Sequence, residues 1–113
     1  MSEATALRLA FTVPPELGER VSALLDAIER EDDPIPFRGE LADRVVELTE
    51  AGLHAYFLEP LERAEVNVLV RQSAALGIAT GVRTMGGMIR GIIGRLDGRQ
   101  IRAVCACMRE MVC

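Results

Sequence analysis

One histidine, three cysteines and a run of arginines are the side chains in this 113-residue chain with a claim to chemistry. His54 follows Glu50 by four residues and Glu47 by seven, so a helix would align all three with Asp43. Such a line could begin a metal site or raise the imidazole pKa. One helix face supplies too few donors for a closed metal site, and position 51 is alanine where a carboxylate three before the histidine would be needed. The line reads as a solvated acidic face, and neither a metal nor a cofactor is expected. Cys105 and Cys107 lie two apart and point about 200° apart on a helix, too divergent to share a metal. Cys105 falls on an apolar face and reads as a small core residue, while Cys113 is terminal and free to react. No nucleophile, base and orienting group stand at supporting spacings, so the chain is read as non-enzymatic.

Arg83 and Arg90, two helical turns apart with Gly86 and Gly87 between them, are candidate anchors for an anion. The alternative is that they pair with acidic residues elsewhere in the chain. They belong to residues 77–96, GIATGVRTMGGMIRGIIGRL, which hold six of the ten glycines. Wound as a helix, this stretch places Ile78, Val82, Met85, Ile89, Ile92 and Leu96 on one side. Gly77, Gly81, Thr84, Gly87 and Gly91 form a flat stripe of small residues. A glycine inside a helix costs roughly 1 kcal/mol relative to alanine. Either the helix breaks at Gly86-Gly87, or another backbone packs closely along the stripe, which then serves as a helix-packing or oligomer interface. Close packing is the expectation.

The elements that must carry these residues follow from periodicity. Residues 6–13, ALRLAFTV, alternate apolar and polar and predict a short strand, stopped by Pro14-Pro15. Residues 14–58 predict a first helical pair. Its first helix buries Leu17, Val21, Leu24, Leu25 and Ile28; its second runs from about Phe37 to Leu58 with Tyr56 on the inner stripe and Phe57 on a second apolar edge. Pro60 predicts a new helix start. Residues 61–76 are apolar nearly all round, which suggests burial on several sides; 66–70 fit a helix or a strand, with the flanks favouring helix. Asp97 with Gln100 is a capping-box pattern opening a last helix. The fold expected is all-α: one domain over 1–113, a four- or five-helix bundle with a short N-terminal β-strand able to pair across a dimer, and C-terminal helices over 60–113.

Half of the residues are apolar but only 4% are aromatic, so the core is aliphatic. Residues 1–62 carry 14 acidic and 5 basic side chains; residues 63–113 carry 3 and 8. The halves, at −9 and +5, can attract each other within a chain or across a dimer. Three cysteines argue against a disulfide framework. Arg83 and Arg90 interrupt the most apolar stretch, so no membrane span is expected, and the start Met1-Ser2-Glu3-Ala4 does not read as a signal peptide. The expected location is the cytoplasm.

Over residues 6–58 the order strand, Pro-Pro-Glu-Leu, helix, turn, helix resembles the ribbon-helix-helix family. That resemblance implies an intertwined dimer in which paired N-terminal strands enter the DNA major groove. Arg8, Ala10 and Thr12 would then face the bases, and the backbone around Phe37, Arg38 and Gly39 would hold a phosphate. The acidic N-terminal half weighs against nucleic acid as a partner. Three functions follow as expectations: a homodimeric interaction or regulatory protein with a protein partner, a ribbon-helix-helix-like DNA-binding regulator, or a binder of a small anionic or apolar ligand beside the glycine-rich helix.

Overall fold

A proline lacks an N–H and holds its φ ready for a first helical turn, and Pro15 starts the first helix, α1 (Pro15–Arg30). The structure, a computed structural model, describes residues 10–111. The five apolar residues that the spacing assigns to the inner face of α1 are the ones it buries: Leu17, Val21, Leu24, Leu25 and Ile28. Extended backbone at Glu31 ends it, and Pro34 and Pro36 frame a turn closed by a short 3-10 segment, Ile35–Phe37. The expected strand is not seen. Residues 10–13 adopt neither strand nor helix, and residues 6–9 lie outside the described residues.

The second helix departs from the expectation at its end. α2 (Arg38–Leu53) passes through a π turn (His54–Leu58) straight into α3 (Glu59–Arg63), so Pro60 lies inside one continuous rod instead of opening a new helix. In the π turn the Glu59 N–H reaches back five residues to the His54 carbonyl. One extra residue per turn relieves the site where Pro60 can offer no N–H. It also rotates the helical face. Leu58 becomes buried, while Tyr56 and Phe57, expected on inner stripes, stand exposed. Gly52 has a local use: a Cβ there would sit 3.4 Å from the ring of Phe11, which packs edge-to-face on Tyr56 at a centroid distance of 5.5 Å. The chain entering α1 is thus pinned on the far end of α2.

Glu65, with φ of 56°, takes the left-handed conformation that reverses the chain after α3. Asn67 then caps the next helix, its Oδ1 accepting from the Val70 N–H at 2.9 Å. α4 (Val68–Ile93) runs for 26 residues, about 39 Å at 1.5 Å per residue. It is unbroken through Gly86 and Gly87, and residues 68–70 belong to it as helix. The expected capping box opens α5 (Gly98–Met111): Asp97 Oδ1 accepts from the Gln100 N–H at 2.8 Å and Gln100 Oε1 from the Asp97 N–H at 2.9 Å.

The core cluster joins the inner face of α1 to Leu41 and Ala42 of α2, Ile93 at the end of α4, and Ile101 and Cys105 of α5. α2 lies between α1 and α4, and α5 closes over α1. Three ties hold the α4–α5 turn in place. Arg38 Nη1 donates to the Leu96 carbonyl at 3.0 Å. Buried Pro34 packs against Gly98, where an added Cβ would lie 3.5 Å from the ring. Arg102 donates to the carbonyls of Ile28, Glu31 and Asp32, satisfying the open C-terminal end of α1.

Within the chain, α4 approaches α2 closely at Gly86, which the sequence placed beside the arginines and away from the small-residue stripe. A Cβ at Gly86 would lie 3.6 Å from Val46 Cγ1 and 3.2 Å from Arg90 Nη1. The predicted core register also drifts by one residue: Ile93 is buried and Ile92 exposed. Replacing Gly86 with Val therefore forces α4 off α2 and should lower stability by about 1–3 kcal/mol in urea unfolding. Gly87→Ala, with nothing within 4 Å of the new Cβ, should leave stability unchanged or raise it by up to about 1 kcal/mol.

Candidate functional site

An α-helix buried on one face needs polar residues on the other to be content in water. α4 mixes them (Arg71, Gln72, Thr80, Arg83, Thr84 and Arg90) with exposed apolar residues. Its N-terminal two thirds lie outside the core cluster, which α4 reaches only through Ile93 and the partly buried Ile89. Leu69, Val70, Leu76, Met88 and Ile92 are 45–71% exposed. The expectation that residues 61–76 are buried on several sides is overturned, because the chain turns at Glu65 and then runs along the edge of the molecule.

Beside this face runs a groove of about 670 Å³ between the α2–α3 rod and α4. Leu53, Phe57 and Leu61 form one wall; Val70, Ala74, Gly77, Ile78, Gly81 and Met85 form the floor and the other wall. Phe57, which lies in the π turn, stands between Leu53 and Leu61 on that wall. The small-residue stripe contributes Gly77 and Gly81 to the groove. An added Cβ at Gly77, Gly81, Gly87 or Gly91 meets nothing within 4 Å, and Thr84 is exposed.

A second cleft, of about 640 Å³, lies between the start of α1 and the end of α2. Glu16, Glu47, Glu50, Glu59, Arg20 and His54 line it. Among the described residues no three histidine, cysteine or acidic side chains are grouped to hold a metal ion. Glu47 is engaged by two arginines, Arg20 at 3.1 Å and Arg44 at 2.9 Å. His54 is exposed.

The other sequence-predicted residues are dispersed. Arg90 Nε pairs with Asp43 Oδ1 at 3.0 Å, whereas Arg83 makes no ion pair among the described residues. The two arginines thus do not act as one anion clamp here. Arg8 lies outside the described residues and Thr12 is exposed. Arg38, expected at a phosphate, is turned to the Leu96 carbonyl. Attraction between the oppositely charged halves is realised within the chain at Arg90 and again at Arg109, which pairs with Asp26 and with Glu29 at 3.0 Å. No helix among the described residues is long and apolar enough to cross a membrane.

Sequence reasoning missed the groove and the π turn beside it, which has no pattern of its own. The one available signal was the pairing of Gly52 and Pro60 within an otherwise helical stretch. No protein-family model matches the chain, and no curated protein or solved structure matches it.

Burial pushes the Cys105 thiol above its usual value, with Glu29 adding to the shift, while Cys107 is exposed. Alkylation by iodoacetamide at pH 8, followed by mass spectrometry, should modify Cys107 readily and leave Cys105 protected until the chain unfolds. The hydrogen bond from Arg109 holds the Glu29 carboxyl below its ordinary 4.5. A depressed acid favours the folded state above its unfolded value and loses that contribution as pH falls through the lowered one. NMR titration should show Glu29 titrating below 4.5 and moving back up in Arg109→Met.

Proposed function

We propose that the chain is a non-enzymatic helical interaction protein that works as a homo-oligomer, with the open face of α4 as its contact surface. The observation that carries this reading is the groove beside α4, nearly all apolar in its lining and continuous with exposed Leu69, Val70, Met88 and Ile92. Contiguous apolar surface of this kind marks an interaction site in a soluble protein, and an apolar trough with a glycine floor suits an incoming helix. A regulatory role would follow if a protein partner competes for the same face. The DNA-binding reading draws less support, because Arg38 is occupied by the Leu96 carbonyl and the first helical pair is rich in carboxylates. The anion-binding reading draws less as well, with Arg90 held by Asp43.

The test is analytical ultracentrifugation at tens of micromolar. The wild-type chain should sediment as a dimer or larger species. Gly77→Leu with Gly81→Leu should yield monomer with an undiminished helical circular dichroism spectrum, since an added Cβ at either position meets nothing within 4 Å and the groove has room for the rest of the side chain. A monomeric wild type would overturn the reading.

A further inference from the structure

We draw no further inference here: the strongest candidate, the apolar groove between the α2–α3 rod and α4 together with the small-residue stripe of α4, belongs to the site already described, and nothing in the structure shows what covers it.

Discussion

The length of α4 set against the small core it rests on is the constraint from which the rest of the architecture follows. The helix spans about 39 Å, while the buried cluster that holds the molecule together uses α1, the first half of α2, the end of α4 and α5. Gly86 on Val46 is the fulcrum: with no side chain of its own there, α4 settles onto the Val46 side chain of α2. On one side of that contact, Ile93, the Arg38 link and the Arg102 cap bind the helix ends into a packed unit. On the other side α4 continues beside a rod that has been turned by a π segment. The hairpin formed there has only two layers. A radius of gyration of 16.3 Å, against about 13 Å for a compact domain of this length, is the global measure of that asymmetry.

Much of the packed half was legible in the sequence. The α1 face, the proline-framed turn, the Asp97–Gln100 capping box and the inward Cys105 follow from local rules: a 3.6-residue period, a missing N–H, reciprocal side-chain caps. Each is decided by residues within a few positions of one another. The other half was not legible, because its features depend on partners distant in the chain. The π turn is set by Pro60 together with Leu58 finding the core, and the sequence pattern alone placed a helix start there. Residues 61–76 look like buried helix because they are apolar on several sides. Pattern cannot tell burial within a chain from burial between chains.

The glycines show the same limit at finer scale. Their number announced a close contact, and a close contact exists, but at Gly86 and away from the stripe, whose glycines have nothing within 4 Å of an added Cβ. A helical wheel assigns small residues to faces without saying which face the rest of the chain has material to cover. Only the fold answers that, by spending its apolar surface on α1, α2 and α5 first.

What remains is a thermodynamic oddity in a lone chain. Gly77, Gly81, Gly87 and Gly91 sit in helix with open space where a Cβ would be. Alanine at these four positions would favour the helix by about 4 kcal/mol in sum, a large share of the 5–15 kcal/mol that keeps a domain folded. Among the described residues no close contact at these four positions offsets that cost. A second helix laid on the stripe does, because each missing methyl shortens the distance between axes and multiplies dispersion contacts along the crossing. Val70, Met88 and Ile92 are exposed on the same helix. Two separate unfavourable features, a bare flexible stripe and protruding apolar side chains, lie on one helix, where a single partner would relieve both. That coincidence is the physical argument for reading the hairpin as a subunit of a larger bundle.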